Sequence, residues 1–125
     1  MMWKGWKTYE ENEASSEDKP HAKGFFDDFR SADDVFGEYA VELEERAGIA
    51  FVYAQYGYQD YEGYSHVIFA KDGALFEVNG SHCSCHGLED QWRPEATTAA
   101  AILARPGVSD EAKACVREWA KAVAA

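Results

Sequence analysis

From Ser31 to Ala47 the apolar residues Val35, Phe36, Tyr39, Ala40, Leu43 and Ala47 recur three and four positions apart. That spacing places them on one stripe of an α-helix. Ser31 suits the N-cap, Asp33 and Asp34 suit the first turn, and Gly48 stands where a C′ residue belongs. The opposite face of this helix holds Asp34, Glu38, Glu42 and Glu45. Ile49 to Tyr56 is nearly apolar at every position, the pattern of a strand buried on both faces. Tyr64–Lys71 and Ala74–Asn79 then flank Asp72-Gly73, a dipeptide suited to the positive φ angles of a type I′ hairpin turn. A two-residue loop pairs Lys71 with Ala74, Phe69 with Phe76 and Val67 with Val78. One hairpin face therefore carries Val67, Phe69, Phe76 and Val78, and the other carries His66, Ile68, Leu75 and Glu77. Further on, Pro94-Glu95, Thr97 or Thr98 can open a short helix over Ala99–Ala104, which Pro106-Gly107 stops. Ser109 caps a last helix with the stripe Ala112, Cys115, Val116, Trp119, Ala122 and Val123.

These elements predict an α+β fold: a small antiparallel three-stranded sheet packed with an N-terminal helix and two C-terminal helices. At 125 residues, 46% hydrophobic and 14% aromatic, the chain is long and apolar enough for one domain with a core. That domain is expected over residues 22–125. Residues 1–21 are polar and charged without a hydrophobic period, and they read as a flexible acidic tail. Trp3 and Trp6 are expected to dock from that tail onto the domain, since a bare Trp invites aggregation; the alternative is a short binding segment.

Charge changes the functional picture. The formal net charge is −11, and it is unevenly spread: residues 22–48 hold eight acids against three basic residues, whereas residues 95–125 hold four of each. Such a chain lacks the basic footprint of direct nucleic-acid binding. An acidic face suits a basic protein partner, or serves solubility alone. No stretch has the length and apolarity of a membrane span, and no leader pattern opens the chain, so the expected location is the cytoplasm. Three cysteines, an odd number, fit a reducing compartment, and a Cys83–Cys85 disulfide would close a small strained ring.

Candidate chemistry is concentrated in Asn79-Gly-Ser-His-Cys-Ser-Cys-His-Gly87, which packs His82, Cys83, Cys85 and His86 together. Thiolates and imidazoles suit zinc, although Cys-x-Cys is not the usual ligand spacing, and His21, His66 or Cys115 would have to complete the set. A thiol nucleophile with His82 or His86 as its base is a second reading. A third is structural: a sharp loop leaving the strand at Asn79, turned by Gly80 and Gly87, with Ser81 and Ser84 bonded locally and at least one cysteine buried. A second cluster is the tyrosine-rich loop before the hairpin, where Tyr58, Asp60, Tyr61 and Glu62 have the composition of a binding surface. In it Tyr58 and Tyr61 are expected to be exposed, with Tyr53, Tyr56 and Tyr64 as ordinary strand residues. The chain has no phosphate loop and no His-Glu-x-x-His, and the pairs Asp27-Asp28 and Asp33-Asp34 read as caps or solvated charge.

The run from Lys71 to Thr98 resembles a family of small proteins encoded by tailed phages and prophages. The shared core is Ser-His-Cys-Ser-Cys-x-Gly-Leu-Glu-x-Gln-Trp-x-Pro-Glu, matched here from Ser81 to Glu95 and more loosely from Tyr56 to Leu103, under half the chain. The resemblance implies a phage or prophage origin and brings no catalytic residue. It implies a non-enzymatic accessory protein that binds a host or phage protein. One such protein is an acidic inhibitor that mimics nucleic-acid charge against host defence or nucleic-acid machinery. The candidate binding residues are Tyr58, Asp60, Tyr61, Glu62, Glu38, Glu42 and Glu45. The alternative is a zinc- or thiol-dependent protein using His82, Cys83, Cys85 and His86.

Overall fold

The computed structural model describes residues 20–59, 62–83 and 87–124. Trp3, Trp6 and the rest of the acidic tail up to Lys19 lie outside the described residues, as do Asp60, Tyr61, Cys85 and His86. The fold is α+β, with one mixed sheet of five strands in sequence order. The strands are β1 (Phe25–Asp27), β2 (Ala50–Gln59), β3 (Glu62–Lys71), β4 (Ala74–His82) and β5 (Glu95–Thr97). β1 runs parallel to β2, and β2 to β5 form an antiparallel meander. The helices are α1 (Ala32–Tyr39), α2 (Leu43–Arg46), α3 (Ala99–Ala104) and α4 (Asp110–Ala124). Among the described residues no helix is long and apolar enough to cross a membrane.

The sheet thus exceeds the three strands expected from the sequence, because β1 and β5 are each three residues long. Such pieces show no alternation to read, and their pairing depends on neighbours already in place. The central hairpin matches the expected register: Lys71 pairs with Ala74, Phe69 with Phe76, and Val67 with Val78. Asp72 and Gly73 take φ of 53° and 82°, as a type I′ turn requires.

Helices pack on both faces of the sheet, on the second over part of it only, which explains the apolar run at the start of β2. On the first face Val35 and Tyr39 of α1 pack with Phe25, Ala54, Val67, Phe69, Val78 and Leu88. On the second, Ile102 of α3 and Ala112 and Val116 of α4 pack with Tyr53, Ile68 and Leu75. A bulge at Val52 shifts the β2–β3 register between Phe51 and Tyr53. Phe51 therefore joins the first core, while Val52 and Tyr53 both serve the second. The C-terminal helices start as expected: the Thr98 hydroxyl accepts from Ala101 N–H, and the Ser109 hydroxyl accepts from Ala112 N–H.

The single helix expected over residues 31–47 is instead two. α1 ends at Ala40, which adopts a left-handed conformation with φ of 54°. Its N–H donates to Gly37 O and that of Val41 donates to Phe36 O, the two bonds of a Schellman motif. The break buries Val41 in the first core and leaves Leu43 75% exposed, so the stripe through Leu43 was misleading. Glu38, Glu42 and Glu45 consequently do not share one helix face. Glu38 lies in α1, Glu42 at the N-cap of α2, and Glu45 within α2, while Gly48 follows that shorter helix. An L-residue in the left-handed region costs about 1 kcal/mol or more. Ala40→Gly should therefore stabilise the protein by about 1 kcal/mol in urea melts. A destabilised variant would show that the Ala40 methyl matters more than its backbone.

Candidate functional site

The strand β4 does not stop at Asn79. It runs on through Gly80 and Ser81 to His82, which pairs with Gly63. The sharp loop turned at Gly80 is therefore corrected, because these residues still hold ladder bonds to β3. Gly80 is needed for close approach: a Cβ there would meet Leu88 Cδ2 and the Tyr39 hydroxyl, each at 2.8 Å. Beyond β5 the outer edge of β4 is open, and the Gln91 carboxamide fills it. Ser81 N–H donates to Gln91 Oε1 at 2.9 Å, and Gln91 Nε2 donates to Ser81 O at 2.8 Å and to Gly87 O at 3.1 Å. Trp92 stacks on Phe69 with centroids 5.5 Å apart and meets Tyr39 edge-on. Leu88, fully buried, closes the first core.

His82 is buried, 9% exposed, with its imidazole lying over Gly63. Its Nδ1–H donates to the Cys83 carbonyl at 2.7 Å, so in the neutral ring Nε2 accepts from the Tyr56 hydroxyl at 2.6 Å. The Tyr56 and Tyr58 hydroxyls lie 3.1 Å apart, and the Tyr58 ring meets the imidazole at 5.4 Å. Burial above all pushes the Tyr56 phenol well above its ordinary range, so it stays protonated. Both nitrogens of His82 are thus engaged by the protein itself. Cys83 is exposed. Among the described residues no three potential ligands come together as a metal site. The two other described imidazoles lie elsewhere: His21 Nε2 donates to Asp27 O, and His66 pairs with Glu77 on the second face of the sheet. Cys115 sits half-buried on α4.

Next to the Tyr56–Tyr58–His82 cluster lies a cleft of about 490 Å3, lined by Asp28, Asp33, Asp34 and Glu38 with Tyr56 and Tyr58 and by Arg30. Glu38 records how its charges converge. Burial first, then Glu89, Asp28 and Asp34, push its carboxyl above the usual range, and His82 works against them. Asp34 is partly satisfied by the backbone N–H of Arg30 at 2.8 Å.

Of the residues singled out by sequence, the cleft therefore brings together Tyr58 and Glu38. Tyr58 is 59% exposed, as expected, but Tyr64 is also exposed, at 47%. Glu62, at the start of β3, bonds the Tyr64 hydroxyl and does not line the cleft. Glu45 lines a separate groove of about 430 Å3 over Phe69, Phe76 and Trp92, and Glu42 is exposed beside it. Asp28, Asp33 and Asp34, in sequence no more than caps or solvated charge, line the cleft as well. Their gathering depends on the β1–α1 turn, which places residues far from Tyr56 in sequence beside it. No protein-family model, curated protein or solved structure matches the chain.

Proposed function

We propose that this is a non-enzymatic accessory protein that binds a host or phage protein bearing a basic surface, in the manner of an acidic mimic of nucleic acid. The carrying observation is the cleft beside α1, where four carboxylates share the lining with Tyr56, Tyr58 and Arg30. Burial first, and then neighbouring carboxylates, raise the Glu38 carboxyl, and so acidic a cleft favours a cation from outside. Tyr58, exposed at the rim, adds a rigid amphipathic contact of the kind that anchors interfaces. The resemblance of Ser81–Glu95 to a phage family supports a partner in the bacterial cytoplasm, either a host-defence protein or one that handles nucleic acid.

Two double charge reversals test this reading. Tagged protein should capture a basic partner from bacterial lysate at low salt and lose it at moderate salt, because rim charges are screened. Asp33→Lys/Glu38→Lys, in the cleft, should weaken capture about tenfold or more, since opposed charges become like charges. Glu42→Lys/Glu45→Lys makes the same change in net charge on α2 and should weaken it far less. Equal loss from both pairs would mean that net charge alone governs binding. Unchanged capture by the cleft pair would reduce the cleft to a solvated face.

A further inference from the structure

The half of the second sheet face that α3 and α4 leave uncovered takes no part in the acidic cleft. There Gln55, His66, Glu77 and Asn79 floor a trough of about 800 Å3, and Arg105, just past α3, forms part of its wall. The volume is that of a small-molecule site, but the floor is polar. Glu77 is 7% exposed, and its Oε2 accepts from both His66 Nε2, at 2.6 Å, and Arg105 Nη2, at 2.5 Å. Among the described residues nothing bonds its Oε1. Glu77 lines the trough, so Oε1 keeps acceptor capacity that a ligand's donor can use. Burial alone would raise this carboxyl, but the hydrogen bonds from Arg105 and His66 outweigh it and hold the group below its ordinary range. The oxygen is therefore an anionic acceptor.

The neighbouring groups are open in complementary ways. In the neutral ring, with Nε2–H given to Glu77, His66 Nδ1 is an acceptor. Arg105, about half exposed, keeps guanidinium donors beyond the one it gives Glu77. The Asn79 side-chain amide, exposed in the trough, has no side-chain partner among the described residues. These features narrow the ligand class. Arg105 and Glu77 cancel one another, so an added anion faces Glu77 and an added cation faces Arg105. An apolar body would strip water from polar groups without replacing it. What satisfies the floor is a neutral molecule with hydroxyl donors and acceptors on adjacent atoms.

We propose that this trough binds a neutral ligand through a vicinal diol, supplied by a free sugar or by the ribose of a nucleoside. One hydroxyl donates to Glu77 Oε1 and its neighbour accepts from Arg105, with Asn79 completing the set. A carboxylate taking a ribose hydroxyl is a recurrent mode of such recognition.

The test is an NMR amide-shift titration of the full chain with D-ribose, D-glucose, uridine and 2′-deoxyuridine. Each is taken to about 50 mM, past the millimolar Kd expected of so few contacts. Saturable shifts are expected at residues 64–66, 77–81, 105 and 107. Uridine binding without free-sugar binding assigns the diol to a nucleoside, and sugar binding without uridine assigns it to a free sugar. If uridine binds, 2′-deoxyuridine should bind about tenfold more weakly. Asn79→Ala should weaken binding about threefold with an unchanged melting temperature, and Arg105→Ala should abolish it. The proposal is overturned if none of the three diols gives saturable shifts. It is also overturned if 2′-deoxyuridine matches a binding uridine, or if Asn79→Ala binds like the parent.

Discussion

Gly63→Ala is expected to destabilise the fold by about 3 kcal/mol, the upper range for overpacking a buried site. Gly63 does not have a left-handed backbone, so an alanine meets no conformational penalty there. The cost is steric: a Cβ would stand 2.3 Å from Nε2 of His82, its cross-strand partner. That ring cannot move aside freely, because Tyr56 and the Cys83 carbonyl hold its two nitrogens. The decisive comparison is the double variant Gly63→Ala/His82→Ala. Removing the imidazole removes the clash, so urea melts should show the double variant more stable than Gly63→Ala alone. Two simply additive losses would mean that the ring has room to swing away. The same result bears on chemistry, since a His82 locked by packing and two hydrogen bonds is a structural residue before it is a ligand or base.

Much of the fold is legible where the signal is local. The Asp72-Gly73 turn fixes the β3–β4 register, and with it which residues face the first core. Thr98 and Ser109 mark the helix starts through their own hydroxyls. What escapes is decided by tertiary packing. Ala40 carries no sign of its left-handed turn, because the gain comes from burying Val41 against residues of the sheet. Glu77 reads as the polar partner of Ile68 on one hairpin face, and nothing in the local pattern announces Arg105 as its counter-ion, 28 positions away. The candidate sites show the same division. Residue type drew attention to His82, but its surroundings depend on Tyr56 and Gly63, which only strand pairing brings to it. The acidic residues of the N-terminal half are plain in the composition, whereas their convergence on Tyr56 and Tyr58 depends on how β1 turns into α1.

Leu88→Ala should cost about 3 kcal/mol or more, because a fully buried leucine leaves a cavity that its neighbours fill only in part. Leu88 has no exposed surface, and its Cδ2 occupies the space that Gly80 leaves by lacking a side chain. It belongs to the same core as Tyr39, Val78 and Phe29, so the loss reaches the centre of the domain. The size of the effect separates two accounts of the motif from Ser81 to Glu95. If the motif is a chemical loop mounted on a finished domain, truncating Leu88 should disturb it locally and cost under about 1 kcal/mol in global urea melts. If the segment closes the domain, the whole protein should lose stability. Leu88 seals the first core, Gln91 completes the open edge of β4, and Trp92 stacks on Phe69. Those three contacts come from different faces of one short segment, which a loop free of the core could not make at once. Hydrogen exchange should therefore speed up in β3 and β4 as well as at residues 87–92, and exchange confined to the segment would favour the loop account.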